Sequence, residues 1–227
     1  RDIFGAGETV FITTEMEPFA RKGGLADVMN ELPSALARLG VNVTVIMPLY
    51  SSDPYLRDQK DMVEKYGIEY TGRNIRYFVK GRMVEAGVHR LKQDGVTVYF
   101  LTHPEYANYL YGGVTTKEKL LKDIFLCRGA IEVMRAFNMH PTNIILNDSH
   151  AALVAPFIKT EPFYRDSPNF SNAKINYAIH NLGFSYQEVY EFWENGEDLF
   201  GLFNLNPEHI YWLRHPWDES RMNLTAA

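Results

Sequence analysis

One stretch near the start of the chain restricts its fold more than any other. Residues 10–12 are apolar and predict a short buried strand. Two charged residues and the pair Gly23-Gly24 follow, and then apolar residues at helical spacing. These apolar residues are Leu25, Val28, Met29, Leu32, Leu36 and Leu39. Because glycines let a backbone approach a ligand and helix-opening N–H groups favour anions, the stretch predicts a phosphate-binding corner.

This stretch differs from the two best-known phosphate-binding sequences. Gly5 and Gly7 precede the strand, whereas the glycines of the dinucleotide fingerprint follow it. Lys22 comes before the glycine pair and no Gly-Lys-Ser/Thr follows, so there is no P-loop. From the residues alone, a glycine turn that only packs remains an equal alternative.

The segments around the glycine pair closely resemble a family signature. Residues 22–28 read Lys-Gly-Gly-Leu-Ala-Asp-Val, and residues 14–18 read Thr-Glu-Met-Glu-Pro. Bacterial glycogen synthases and plant starch synthases begin with Ser/Thr-Glu-x-x-Pro, followed by Lys-Thr/Val-Gly-Gly-Leu-Ala/Gly-Asp-Val. Later segments match as well, so the resemblance covers most of the chain.

A second segment places polar residues after a predicted strand. Residues 143–146 are followed by Asn147, Asp148, Ser149 and His150, and ligands of open α/β sheets bind at such strand ends. The resembled family has His-x-Asn/His-Asp-Trp here, so Asp148 and His150 are in register and Ser149 replaces the tryptophan. Capping of the next helix by Asp148 or Ser149 is the structural alternative, and it is compatible with sugar binding.

A third segment, the strand at residues 174–179, ends in His180-Asn181. The resembled family ends this strand in Ile/Val-His-Asn, with the histidine beside the transferred glucose. A lone histidine is more often structural, but the two other matching segments favour the site. Residues 183–188 depart from the family because the Tyr186-Gln187 pair is displaced, so no role is carried over to them.

The element pattern predicts an α/β fold. A second strand at residues 43–46 completes a strand–helix–strand unit, which implies a parallel sheet. Runs at residues 75–79, 83–91 and 96–101 predict an antiparallel extension at one sheet edge. We therefore expect a Rossmann-like parallel sheet flanked by helices with an antiparallel β-hairpin extension, which the resemblance identifies as the N-terminal half of a GT-B fold.

Composition excludes several other classes. The net charge of −5 argues against non-specific nucleic-acid binding, and the basic residues at 65–92 are more typical of a solvated strand edge. The single cysteine, Cys127, rules out an intramolecular disulfide and is expected to be a buried, inert thiol. No signal peptide or membrane-spanning run is recognisable, so we expect a cytoplasmic protein, or a plastid one if the source is a plant.

The resemblance implies a reaction. The family transfers glucose from ADP-glucose, or a related nucleotide sugar, to the non-reducing end of an α-1,4-glucan with retention. It implies His180 and Asp148 as catalytic residues, no metal and no cofactor beyond the donor. The implied substrate-binding residues are Arg21, Lys22, Gly23, Gly24, Asp27, His150 and Asn181. The implied partners are an α-glucan and a nucleotide sugar, with no nucleic acid and no membrane.

One departure concerns the cation of the glycine loop. The family's lysine stands two positions before the first glycine, where this chain has Arg21, and Lys22 occupies the Thr/Val position. Arg and Lys differ in reach and geometry. Either Arg21 has taken over the role, or Lys22 reaches in from a shifted loop, or activity is reduced.

Full-length members of the family have a second Rossmann-like domain, which supplies most nucleotide contacts and a catalytic carboxylate. None of its motifs is found here. We expect residues 1–227 to form a single N-terminal domain, with the C-terminal nucleotide-binding domain absent, and we expect the fragment alone to be inactive.

Two other functions remain open: a catalytically silent glucan- or nucleotide-sugar-binding homologue, and another GT-B glycosyltransferase or phosphorylase-like enzyme. Glu15 and Glu17 lie too close in sequence for the opposed carboxylates of a glycosidase. The histidines show no zinc-ligand spacing.

Overall fold

The computed structural model describes residues 7–53, 56, 59–111 and 116–181. Their centre is a seven-stranded sheet in the order β3-β4-β5-β2-β1-β6-β7. The strands are β1 (Glu8–Ile12), β2 (Asn42–Pro48), β3 (Glu69–Val79), β4 (Arg82–Gln93), β5 (Val96–Thr102), β6 (Pro141–Asn147) and β7 (Lys174–Ala178). The helices are α1 (Gly24–Arg38), α2 (Gln59–Tyr66), α3 (Thr116–Ala136), α4 (Ser149–Ala152), α5 (Val154–Thr160) and α6 (Pro162–Arg165).

The sheet is parallel through most of its width and antiparallel at one edge. Strands β5, β2, β1, β6 and β7 pair in parallel, whereas β3 and β4 pair antiparallel with each other and β4 with β5. This confirms the predicted fold class. Because β5 also pairs with β2, the third run of the predicted extension belongs to the main sheet and only β3 and β4 extend it.

Fewer of the apolar residues of helix α1 are buried than their helical spacing predicts. Leu25 and Met29 are buried against the sheet, but Val28 and Leu32 are 38% and 41% exposed. Leu39 is 67% exposed at the helix end, where Gly40 takes a left-handed conformation. Pro33 lies inside α1, yet the helix runs unbroken from Gly24 to Arg38.

Helix α3 closes the opposite face of the sheet. Gly129 lies so close to the sheet that a Cβ there would be 2.6 Å from the Tyr77 hydroxyl and 2.7 Å from Leu101 Cδ1. Cys127 is fully buried, and burial raises the pKa of its thiol, as expected for an inert cysteine.

A buried ion pair fixes α3 to the helices that follow β6. Arg128 Nη2 lies 2.5 Å from Glu161 Oε1, and both side chains are at most 15% exposed. The Arg128 guanidinium also lies over the Phe157 ring, 4.1 Å from its centroid. These contacts hold the segment after β6 against α3, and that segment begins with Asp148 and His150.

The basic segment forms the β3–β4 hairpin, where several of its charges make contacts within the fold. Arg76 pairs with Glu85 at 2.5 Å across the two strands. Arg73 donates to the carbonyl oxygen of Ala136 at 2.6 Å and lies over the Phe137 ring.

Of the helices in the described part of the chain, none is long and apolar enough to cross a membrane.

The close approach at Gly129 gives a stability prediction. Gly129→Ala forces its methyl group into Tyr77 and Leu101 and should lower the free energy of unfolding by about 1–3 kcal/mol, as overpacking does. Gly24→Ala is the matched control, because no atom other than those of its chain neighbours and its own helix backbone lies within 4 Å of its Cβ position. Urea unfolding measures both, and equal stability of the two variants would contradict the packing of α3.

Candidate functional site

The carboxyl ends of β1, β6 and β7 lie side by side, because these strands are parallel neighbours in the sheet. The loops that follow them, together with the first turn of α1 and helix α4, contain all of the residues predicted for the site. We call residues 13–27, 147–150 and 178–181 the site edge. Ligands of open parallel sheets bind outside this end of the strands.

Asp148 joins the ends of β6 and β7. Its Oδ1 accepts hydrogen bonds from the backbone N–H of His180 at 2.8 Å and of Asn181 at 3.1 Å. Its own N–H donates to the carbonyl oxygen of Ala178 at 2.9 Å. The side chain makes no capping bond to α4, so the capping alternative for Asp148 is not observed. The aspartate instead fixes the backbone of the predicted catalytic histidine.

Two further features mark Asp148. Its φ of 59° and ψ of −179° lie in a region that is nearly restricted to glycine, which costs about 1–3 kcal/mol. Burial, and after it the charge of Asp148, raises the pKa of Tyr177 to about 12. A strained, 7% exposed aspartate at a strand end is typical of a functional position.

Asn147 links all three strand ends. Its Nδ2 donates to the carbonyl oxygen of Ile12 at 3.1 Å, and its Oδ1 lies 3.0 Å from His180 Nε2. Because an amide oxygen only accepts, Nε2 of His180 carries the proton in this contact. His180 is an exposed residue, and Nδ1 and the backbone carbonyl are its polar groups that these contacts do not use.

The glycine loop is organised around the buried carboxylate of Glu15, which is 2% exposed. Its Oε2 accepts from the N–H groups of Lys22 at 2.6 Å and Gly23 at 2.8 Å. The hydroxyl of Tyr111 donates to its Oε1. In this structure the Gly23 N–H therefore donates to an internal carboxylate, and contact of Gly23 with a substrate stays a prediction.

Gly24 and Asp27 stand at the start of α1. Gly24 is the first helical residue and is exposed. Asp27, which the resemblance implies as a substrate-binding residue, here pairs with Arg21 at 3.2 Å. Arg21 also pairs with Glu17 at 3.2 Å, and its side chain is 56% exposed. The guanidinium thus lies at the N-terminal turn of α1, between two carboxylates.

His150 connects the β6 end to the glycine loop. Its Nδ1 lies 2.8 Å from Asp123 Oδ1 of α3, and its ring centroid is 4.9 Å from that of Tyr111. Since Tyr111 binds Glu15, a continuous set of contacts runs from α3 through His150 to the loop.

Within the described ranges, no group of three or more His, Cys, Asp or Glu side chains is placed to hold a metal ion.

The structure thus brings the predicted residues to one edge and adds four that were not predicted for the site. Asp148, His180 and Asn181 are in direct contact, and His150 reaches the glycine loop through Tyr111. The four additional residues are Glu15, Tyr111, Asp123 and Asn147. Two of them, Glu15 and Asn147, lie within the quoted motifs but were assigned no site role. Residues 183–188 lie outside the described residues.

The fold and the site edge define an α/β domain that presents glycine-loop amides, a histidine and cationic side chains at the end of a parallel sheet. Residues 8–227 match the family model described as the starch synthase catalytic domain. The chain belongs to this family of glycogen and starch synthase catalytic domains.

Curated relatives show the same relationship. The chain is 32% identical over 190 residues to a glycogen synthase of Thermotoga petrophila, covering 81% of this chain and 36% of that protein. It is 34% identical over 179 residues to a glycogen synthase of Bacillus licheniformis, covering 78% and 34% respectively. The chain therefore spans about a third of the length of these relatives.

A solved structure agrees in fold. The catalytic domain of starch synthase IV from Arabidopsis thaliana, bound to ADP and acarbose, superposes with a TM-score of 0.72 at 23% identity. The superposition covers 97% of this chain and 42% of that one. It supports the α/β architecture derived from the strand order.

The geometry of Asp148 makes a prediction that separates strain from hydrogen bonding. Asp148→Ala loses both bonds to the β7 end but keeps the unfavourable φ, and Asp148→Gly loses the bonds but relieves the strain. Asp148→Gly should therefore be more stable than Asp148→Ala by about 1 kcal/mol, after the entropic cost of glycine. Asp148→Asn, which keeps an acceptor, should be the most stable of the three.

Urea unfolding of the three variants checks this order. An alanine variant at least as stable as the glycine variant would show that the backbone at residue 148 is not strained.

Proposed function

We propose that this chain is the N-terminal, acceptor-side domain of a retaining glycosyltransferase that transfers glucose from ADP-glucose to the non-reducing end of an α-1,4-glucan. The observation that carries the proposal is the site edge, where Asp148 fixes His180 and Asn181 beside the loop that opens α1. The reaction itself is inferred from the family to which the chain belongs. Because the chain spans about a third of its relatives, the activity is proposed for the protein that contains it.

The start of α1 suits the departing diphosphate. When the glycosidic bond to phosphate breaks, negative charge grows on the leaving group, and donors already aimed at it stabilise the transition state. The amides of Gly24 and Leu25 are the first two of the helix and have no acceptor within it. Arg21 places a guanidinium at the same turn.

The β6 and β7 ends suit the glucosyl group. We propose that Asp148 orients the His180 backbone and that His180 contacts the sugar through Nδ1 or its carbonyl oxygen, since Nε2 binds Asn147. Direct contact of Asp148 with the sugar stays a prediction, as do the contacts of Asp27, His150 and Asn181. Orientation of this kind is what bound substrates need to react.

The remaining properties follow from the same proposal. The nucleotide sugar is itself the donor, so no separate cofactor enters the reaction. A C-terminal domain with the nucleotide contacts completes the cleft, and an α-glucan is the acceptor. A cytoplasmic site of glycogen synthesis, or a plastid one in a plant, is consistent with bacterial and plant relatives.

One alternative has a specific basis. A catalytically silent glucan- or nucleotide-sugar-binding homologue would explain why Ser149 replaces the family's tryptophan and Arg21 its lysine. It would keep the site edge for binding without turnover.

Radioactive glucosyl transfer tests the proposal. The gene product that contains this chain should extend glycogen from ADP-glucose, whereas the 227-residue chain alone should not. Binding of ADP-glucose or glycogen by the gene product without transfer would favour the silent homologue. Transfer by the 227-residue chain alone would contradict the proposal that a second domain is needed to complete the cleft.

The neighbouring cations give a matched pair of variants. Arg21→Ala should raise the KM for ADP-glucose about tenfold or more, because a charge-assisted contact to the diphosphate is lost. Lys22→Ala should have a smaller effect, since Arg21 and not Lys22 occupies the position of the family's lysine. Steady-state kinetics with saturating glycogen measures both, and the reverse order would assign the role to Lys22.

A further inference from the structure

We propose that Glu15 is a positioning residue, an internal anion that fixes the glycine loop so that only the amides at the start of α1 face an incoming phosphate. The proposal rests on the proposed function and deepens it. It assigns to a buried carboxylate a task in donor binding that requires no contact with the donor.

The first support is how fully the Glu15 carboxylate is used within the protein. It is 2% exposed and accepts from three donors: the N–H groups of Lys22 and Gly23 and the hydroxyl of Tyr111. Bonds of N–H groups to a carboxylate are about twice as strong as those to a neutral acceptor. The carboxylate thus fixes the two residues immediately before α1.

The second support is that the backbone of Glu15 is itself fixed. The Thr13 hydroxyl donates to the carbonyl oxygen of Glu15 at 3.0 Å and accepts from its N–H at 3.3 Å. The buried hydroxyl of Tyr50 donates to the carbonyl oxygen of Thr14 at 3.0 Å. Because β1 ends at Ile12, the carboxylate is carried on a short, hydrogen-bonded extension of this strand.

These contacts divide the loop amides into two pairs. Lys22 and Gly23 donate to Glu15, whereas Gly24 and Leu25 are the first two residues of α1. The helix start favours an anion at the second pair, and the buried negative charge of Glu15 disfavours one at the first. Glu15 therefore determines where along the loop a diphosphate can bind.

Two substitutions separate this role from simple stability. Glu15→Gln keeps an oxygen that can accept from both amides, and the Tyr111 hydroxyl can rotate to accept from the new NH₂ group. Glu15→Ala removes the acceptor altogether. Gly129→Ala is the control, because it strains the packing of α3 on the sheet without contacting the loop.

Amide exchange, followed by NMR on the 227-residue chain, provides the first measurement. The Lys22 and Gly23 amides should exchange about 10- to 100-fold faster in Glu15→Ala, the range expected for loss of a bond to a charged group. The change should be severalfold at most in Glu15→Gln and absent in Gly129→Ala. Unchanged exchange in Glu15→Ala would overturn the proposal.

Kinetics of the gene product provides the second measurement. Glu15→Ala should lower kcat/KM for ADP-glucose about 10- to 100-fold, because misplacing a binding loop by about an ångström has effects of this size. The KM for glycogen should stay within about twofold, and Glu15→Gln should restore most of the loss. Equal effects on donor and glycogen, or no recovery with glutamine, would reduce Glu15 to a structural role.

The two measurements fail independently. If the gene product transfers no glucose, the proposed function fails, and the exchange rates still decide whether Glu15 fixes the loop. If transfer is observed but Glu15→Ala behaves as Gly129→Ala does, the positioning role fails and the proposed function stands.

Discussion

The site edge depends on backbone N–H groups that the sheet leaves without partners. Where parallel strands end, the ladder of hydrogen bonds ends as well, and the next N–H groups must find other acceptors. Asp148 supplies one oxygen to two of them, on His180 and Asn181. Glu15 does the same for Lys22 and Gly23. Two buried carboxylates thus fix the loops that follow β1 and β7.

This arrangement explains how short loops can present exposed polar residues in a defined geometry. His180, Asn181 and Gly24 are exposed, yet the backbone beside each is bound to a buried side chain or begins a helix. Asn147, the last residue of β6, adds contacts to Ile12 of β1 and to the His180 ring. A site whose donors are oriented before the ligand arrives stabilises developing charge without a cost of reorganisation.

Much of the fold could be predicted because it follows from local periodicity. The runs at residues 75–79 and 83–91 located the hairpin, and the strand–helix–strand order located the parallel sheet. The buried face of α1 was predicted only in part. Spacing identifies one side of a helix, but whether Val28 or Leu32 is covered depends on what packs there.

The chemistry of the site edge was less predictable because its partners are distant in sequence. Tyr111 lies 96 residues from Glu15, and Asp148 lies 32 residues from His180. Asp148 was recognisable as a polar residue after a strand, but its left-handed φ and its bond to the neighbouring strand depend on the assembled sheet. Glu15 lies three residues beyond the end of the first predicted strand, and nothing local indicated that its side chain turns back onto the loop.

The central claim is that buried carboxylates hold the site edge in place before any ligand binds. The most direct measurement is the exchange of the His180 and Asn181 amides in the ligand-free chain, followed by NMR. Both residues are exposed, so their amides should be protected about 10- to 100-fold only through the bond to Asp148. Exchange at the rate of an unstructured peptide would contradict the account.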